Sequence, residues 1–435
     1  MTDAIRTLLL TEGRSTTELA KLSGLSQPTV SRRLRDMGEA VLAVGKARAS
    51  RYFLRRTVSG HSHWPLYRID ESGKAALLTT LYPVYPAGYL SLSPDGSFEC
   101  FESLPWWLAD MRPQGFMGRA LARQITEMLH LAEDPRDWSD DEVLIALSTQ
   151  PRDTFGNLLV GEKAYQQWLH DAPPPINKPA LQGLAEQAMA GEPVGSSAAG
   201  EQPKFACYLD GEHCLVKFSA PLAKEQARRW GDLLVCEALA LAVLDEAGLR
   251  SAHCHIIEQA NRYFLASSRF DRCGALGRRG LISLAMLDAQ FVGDATSNWP
   301  RLVAALARQN VVSEQAAIDA SRAWCFGRLI ANSDMHHGNL SFLYDGQKPL
   351  SLAPIYDMLP MAFAPSRQGD MRDEPVVPVL SAEVAGEHWR WAWQPALTFW
   401  QRVSKDLRVS EPFRQLAIEQ GAQLLSLKDA LERMA

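Results

Sequence analysis

Residues 329–357, L-I-A-N-S-D-M-H-H-G-N-L-S-F-L-Y-D-G-Q-K-P-L-S-L-A-P-I-Y-D, constrain this chain more than any other stretch. Asp334 stands five residues before Asn339, and Asp357 closes the short apolar run that follows. Phosphoryl transfer asks for one carboxylate to take the proton of the attacking hydroxyl. It also asks for a carboxamide and a second carboxylate to hold magnesium on the nucleotide phosphates. Asn is a neutral oxygen ligand, so it can share a hard cation with Asp without adding charge. Residues 324–331 are apolar at helical spacing, and 332–339 are polar with Gly338 as a turn residue. Residues 340–344 predict a strand, Asp345-Gly346 a tight turn, and 350–355 a returning strand. Such a hairpin brings Asp357 back towards Asn339. Taken alone, the same residues also fit a surface loop with ordinary turn-forming Asp and Asn.

The chain has 435 residues, which suits two or three domains. Hydrophobic content of 46% and charged content of 22% are those of a soluble globular protein. No apolar run is long enough for a transmembrane helix, and the acidic N-terminus does not suit a signal peptide. Seven cysteines without a C-x-x-C pair argue for reduced thiols and a cytoplasmic location. The net charge of −5 is uneven. Residues 1–56 carry eleven Lys or Arg against five acids, a net of +6, and the remainder carries −11. A basic module on an acidic body points to a polyanion partner for the module alone.

That module predicts a first helix over 3–10. A second over 17–23 follows the capping signal Ser15-Thr16-Thr17-Glu18, and a third is capped by Ser26. Val30, Leu34 and Met37 share its buried stripe. Gln27, Thr29, Ser31 and Arg32 are candidates to face DNA bases, with Arg33 and Arg35 better suited to phosphates. Strands over 41–44 and 52–54 enclose a basic loop with Lys46, Arg48 and Arg51. Together these resemble a winged helix-turn-helix DNA-binding domain. A small domain that docks another protein is the competing reading.

Residues 57–110 predict a meander of short strands, 104–131 a helical region with core tryptophans Trp106 and Trp107, and 172–175 a proline linker. From Gly195 the chain reads G-S-S-A-A-G-E-Q-P-K, small residues that let backbone amides approach phosphate oxygens. Lys217 lies on the strand predicted at 214–218, and Glu237 on an amphipathic helix over 232–247. A strand lysine behind a small-residue loop, oriented by a helical glutamate, is how kinases pair nucleotide phosphates. A solvated lysine and a surface salt bridge are the plainer readings. Residues 263–267 predict a strand that leads into Arg269, Phe270 and Asp271, where a hinge would meet adenine. Residues 289–310 and 314–331 predict a helical second lobe.

The runs S-x-A-G-E-Q-P-K (197–204), L-V-K (215–217), S-R-F-D-R (268–272), N-S-D-M-H-H-G-N (332–339) and P-I-Y-D (354–357) occur in one order. As a set they resemble the HipA family of bacterial serine/threonine toxin kinases. With the winged helix reading of the N-terminus, the resemblance implies an α+β fold: a winged helix domain (1–60), a β-meander and helical subdomain (61–190), and a two-lobed kinase core (191–435). It implies Asp334 as catalytic base, Asn339 and Asp357 as Mg²⁺ ligands, and Lys217 on the ATP phosphates. Ala199, Gly200, Glu201, Gln202 and Lys204 would form the phosphate loop. Arg269, Phe270 and Asp271 would form the adenine and ribose edge, with His336 and Tyr356 also at the nucleotide. Ser197, or the adjacent Ser196, would be the autophosphorylated switch. Family members phosphorylate protein Ser or Thr, an aminoacyl-tRNA synthetase among them, and a homodimer is one assembly open to the chain. The chain departs from the family in its fused basic module, in Pro203 and in Ser268. Two other functions stay open at this point: a transcriptional regulator that senses nucleotide without catalysis, and a small-molecule phosphotransferase.

Overall fold

Apolar side chains gather in separate cores along the chain, and each core carries its own secondary structure. The computed structural model describes residues 4–46, 49–149, 153–170, 172–191, 202–366 and 368–434. At the N-terminus, helices Ala4–Leu9, Thr16–Ser23 and Gln27–Asp36 pack on a three-stranded sheet. Its order is Arg14–Ser15, Arg51–Leu54, Val41–Val44. Ser15 and Glu18 form the expected capping box, and Gly24 ends the second helix at φ 70°, where glycine has no Cβ penalty. Ile5, Leu9, Leu19, Val30 and Leu34 are buried as one cluster. A second small cluster of Val44, Phe53, Val84 and Leu90 joins this module to the next sheet.

That next sheet is the meander. Its order is Phe98–Phe101, Tyr89–Leu92, Ala75–Pro83, Trp64–Ile69, Leu158–Val160, and it is backed by helices Gly115–Leu129 and Asp140–Thr149. Trp106 and Trp107 are only partly buried. Trp106 packs edge-on against Phe291, 5.3 Å between ring centroids, and near Tyr344. It is therefore contact surface between regions rather than core.

The second five-stranded sheet has the order Cys254–Gln259, Arg262–Ser268, Glu212–Phe218, Lys204–Leu209, Pro175–Ile176. The expected proline linker is thus partly a strand. Pro175 and Ile176 pair in parallel with Tyr208 and Leu209 at the sheet edge, where a residue without N–H is tolerated. One face of this sheet packs on helix Leu181–Met189. Helix Glu225–Glu246, seven residues longer at its start than the predicted 232–247, joins a large helical core with Trp299, Trp389, Phe399, Trp400 and Phe413. Each such buried large side chain contributes roughly 1.5–3 kcal/mol relative to exposure.

Two expectations change here. Residues 289–310 are not one helical segment. Helix Leu284–Phe291 ends before Gly293 at φ 78°, and Asn298 caps a new helix, Trp299–Arg308, with Pro300 in its first turn. The hairpin after the Asp334 loop pairs Phe342 with Leu352 and Leu343 with Ser351, so its loop spans 344–350 rather than two residues. Asp345 closes the first part of that loop by accepting from Gln347 N at 2.9 Å. Among the described residues no helix is long and apolar enough to cross a membrane.

Candidate active site

The antiparallel register of Lys204–Leu209 and Glu212–Phe218 sets Lys204 directly opposite Lys217, so both side chains leave the same face of the sheet. Both are buried. Lys204 is therefore the first residue of a strand and not a loop residue. Lys217 Nζ donates to Glu237 Oε1 at 2.7 Å and Oε2 at 2.8 Å, and to Asp357 Oδ1 at 2.5 Å. Strand, helix and loop thus meet on one ammonium group. Burial alone would lower the Lys217 pKa, but Asp357 and Glu237 more than offset it and hold the lysine charged. Burial raises both carboxyls. For Asp357, Lys217 and then Lys204 reverse this and hold it below the usual range, whereas Glu237 stays raised. Asp357 sits at φ 56°, a left-handed conformation that Asp tolerates better than most residues.

The loop before it is built around its amides. Asn332 is buried, and its Oδ1 accepts from Asp334 N at 3.0 Å. Asn339 Nδ2 donates to the Asp334 carbonyl at 2.9 Å. Only the amide nitrogen can donate to a carbonyl, so this bond fixes the side chain's orientation. It leaves Asn339 Oδ1 as an acceptor. Among the described residues, no hydrogen bond reaches Asn339 Oδ1 or the Asp334 carboxylate. Asp334 is exposed. Asn339 Oδ1 and the Asp357 carboxylate are hard oxygen donors, a set that fits Mg²⁺.

Tyr356, expected at the nucleotide, has its hydroxyl engaged within the protein. Its hydroxyl donates to Gly338 O at 2.8 Å and shares a 2.8 Å bond with Ser341 Oγ, tying the hairpin to the loop. Trp299 Nε1 donates to the His336 carbonyl at 3.2 Å, and the exposed His336 ring accepts from Gly338 N at 3.1 Å. Asn332, Ser341 and Trp299 were not singled out in the sequence. Asn332 carried a signal, an Asn two residues before the key Asp, which favours a side-chain-closed turn. Trp299 carried none.

The expected adenine edge divides. The Phe270 ring lies 5.6 Å from the Tyr356 ring, facing the loop side. The side chains of Arg269 and Asp271 are committed elsewhere. Arg269 bonds both Asp271 oxygens, at 3.0 and 2.8 Å, and pairs with Asp153, as does Arg272. Asp271 accepts from Gly156 N at 3.0 Å. At Arg269 and Asp271, only the backbone remains to meet a nucleotide. Gln202 is half-buried just before the strand. Ala199, Gly200, Glu201, Ser196 and Ser197 lie outside the described residues, as does Arg48.

In the basic module Arg32, Lys46 and Arg51 are exposed, and Ser31 and Arg33 are half-buried. Three candidates have internal partners. Gln27 Nε2 donates to Thr17 Oγ1 at 3.3 Å, Thr29 Oγ1 bonds Ser26 Oγ at 2.9 Å, and Arg51 donates to Gly13 O at 2.7 Å. Among the described residues, the exposed Arg32 and Arg35 of helix Gln27–Asp36 have no such bond.

Comparison with known proteins adds independent findings. A family model described as the HipA-like C-terminal domain matches residues 196–425. A second, the YjjJ-like toxin middle domain, matches residues 60–169. Toxin YjjJ of Escherichia coli (strain K12) is 40% identical over 438 residues, 98% of this chain and 98% of that protein. Among solved structures, Shewanella oneidensis MR-1 HipA, in its complex with HipB and operator DNA, aligns with a TM-score of 0.56 at 14% identity. The alignment covers 83% of this chain and 96% of that one, a likeness of fold. A Helicobacter pylori proinflammatory kinase, CtkA, aligns with a TM-score of only 0.38 at 14% identity, over 54% of this chain and 93% of that one.

Proposed function

The chain belongs to the family of HipA-like toxins, and from that premise we propose that it is an ATP-dependent serine/threonine protein kinase of the toxin type. The observation that carries the proposal is the meeting of Lys217, Glu237 and Asp357 beside a loop whose Asn339 Oδ1 and Asp334 carboxylate are left open. In this reading Asp334 takes the proton of the substrate hydroxyl. Lys217, held by Glu237, moves from Asp357 onto the phosphates as nucleotide enters, and Lys204 adds a second positive charge. Asn339 and Asp357 would hold Mg²⁺, which neutralises charge on the phosphates when bound. The Arg269–Asp271 backbone and Phe270 would line the adenine. His336 is exposed within the loop and is the histidine we assign to the nucleotide.

Phosphorylation of Ser196 or Ser197 would add roughly −1.5 to −2 charges next to the nucleotide phosphates and repel them. Loop phosphorylation therefore serves as the off switch in this proposal. The test is intact mass after incubation with Mg-ATP, beside Asp334→Asn. We expect a gain of one phosphate in the wild type, mapped to Ser196 or Ser197, and none in the variant. A general base is worth about 10²–10⁴ in rate. Equal phosphate uptake by both proteins would refute the assignment.

We divide the chain functionally into 1–60, 61–190 and 191–435, with the first segment a winged helix DNA-binding domain. Shewanella oneidensis HipA is seen in complex with HipB and its operator DNA. Here the basic module is part of the same chain. Phosphate contacts release counterions, so DNA affinity should fall steeply with salt. Arg32→Glu should weaken it and lower the salt slope by about one or more. Binding indifferent to both would make the module a protein-docking domain.

A further inference from the structure

A cavity of about 380 Å³ lies between the middle region and the second sheet, away from the cluster of Lys217, Glu237 and Asp357. Its volume falls in the range of small-molecule pockets. Trp168 and Ala164 of helix Glu162–His170 form one wall, and Ile176 and Leu184 another. Tyr208 and Leu276 contribute further apolar surface, while Asp153, Arg272 and Arg278 supply a charged end. The hinge residue Phe270 and the loop residues 332–339 take no part in the lining.

The charged end is unbalanced. Arg269, Arg272 and Arg278 surround two carboxylates, Asp153 and Asp271. Arg269 and Arg272 take both carboxylates in ion pairs. Arg278 is 9% exposed, and its Nη1 is buried without a hydrogen-bond partner. Burial and the neighbouring Arg272 push its guanidinium down to about 9. A buried, unpaired guanidinium is destabilising, and it persists where a ligand uses it. Its planar fork matches a carboxylate or a phosphate.

We propose that this cavity is a second ligand site, which takes a small amphipathic anion with its apolar body against Trp168 and its anionic head on Arg278. The site is independent of the kinase reading. The wall strand Lys204–Leu209 begins at the lysine that faces Lys217, so the two sites share one structural element.

The test is calorimetric titration of the full-length protein with three probes: 4-phenylbutyrate, phenyl phosphate and the neutral 4-phenylbutyramide. We expect at least one anion to bind with a stoichiometry of one, and the amide to bind at least tenfold more weakly. Whichever anion binds identifies the head group as carboxylate or phosphate. Arg278→Met should lose that binding at least tenfold, and its melting temperature without ligand should equal or exceed that of the wild type. Arg278 also borders an open groove beside Asp345 and Lys348. Ala164→Phe narrows the cavity and leaves the groove and the ion cluster intact. It should weaken binding too, and it serves as the test if Arg278→Met misfolds. Three results would each overturn the proposal. They are silence with all three probes, equal affinity for the amide, and anion binding that survives either substitution, which would move the anion to Lys204 and Lys217 or to the groove.

Discussion

Two buried charge clusters, each drawn from a run that stands out in the sequence, differ in what they leave unfilled. Around Lys217 the ammonium is shared by Glu237 and Asp357, and in the loop of residues 332–339 Asn339 Oδ1 and the Asp334 carboxylate accept nothing among the described residues. Around Asp271 the acceptors are filled. Arg269 and Arg272 hold both carboxylates and also donate to Thr154 O, and Gly156 contributes its N–H to Asp271 and its carbonyl to Arg272. The first cluster lies within the proposed catalytic region and has open valence. The second spans residues 153–156 and 269–272 and clamps two regions together. Position in a familiar run does not separate these roles, but hydrogen-bond satisfaction does.

The comparison breaks or holds on stability against rate. Asp153→Ala takes a half-buried carboxylate from the buried Arg269 and Arg272 side chains, a loss at or below the roughly 3–5 kcal/mol that breaking a fully buried pair costs. Denaturant melts should show that loss, while phosphate transfer per folded molecule stays close to wild type. A fall in transfer without a fall in stability would make the Asp271 cluster part of the chemistry. Glu237→Gln should do the reverse. The amide resembles the protonated form towards which burial already pushes Glu237, and Lys217 and Asp357 remain a neutral pair. Stability should change by less than about 1 kcal/mol, in the range of one net hydrogen bond. Lys217 would then lean wholly on Asp357, and a misplaced phosphate contact costs about 10²-fold in rate. A stability loss equal to that of Asp153→Ala would make the Lys217 cluster architectural as well.

Much of this was legible from local rules. The capping box at Ser15 and Glu18, the strand meander and the pairing of Lys217 with Glu237 follow from spacing and composition, because each depends on residues close in sequence or on a single recurrent geometry. The family was legible in the order of five short runs, and the match to residues 196–425 spans them. What escaped depends on partners far along the chain. Arg269 reads as hinge until Asp153, 116 residues away, appears beside it. Trp299 lies in the helical core and its indole N–H also holds the His336 carbonyl, 37 residues on, a contact that no local pattern announces. The proline run at 172–175 gives no hint of the edge strand, because pairing with Tyr208 is set by the sheet and not by local preference.

A third charged contact between regions sharpens the distinction at lower amplitude. Asp110, from the middle region, accepts from Ser283 N at 2.6 Å and Ser283 Oγ at 2.7 Å, at the cap of helix Leu284–Phe291. Among the described residues no cation pairs with it, unlike Asp153 and Asp357. Burial pushes its carboxyl up to about 6, and the two Ser283 bonds only partly oppose this. A carboxyl whose folded pKa is raised favours the folded state while protonated, and this contribution disappears as pH rises through the folded value. Between pH 4 and 7 the unfolding free energy of the wild type should therefore fall relative to that of Asp110→Asn. The difference should be about 1–2 kcal/mol after allowance for partial exposure. The variant serves as the reference because Asp271 and Asp357, held below the usual carboxylate range, give the whole protein the opposite slope at lower pH. Urea melts at half-unit pH steps read the difference directly. Parallel curves would mean that Asp110 stays ionised throughout on its two serine donors, so that a filled hydrogen-bond shell can hold a buried carboxylate charged without a cation.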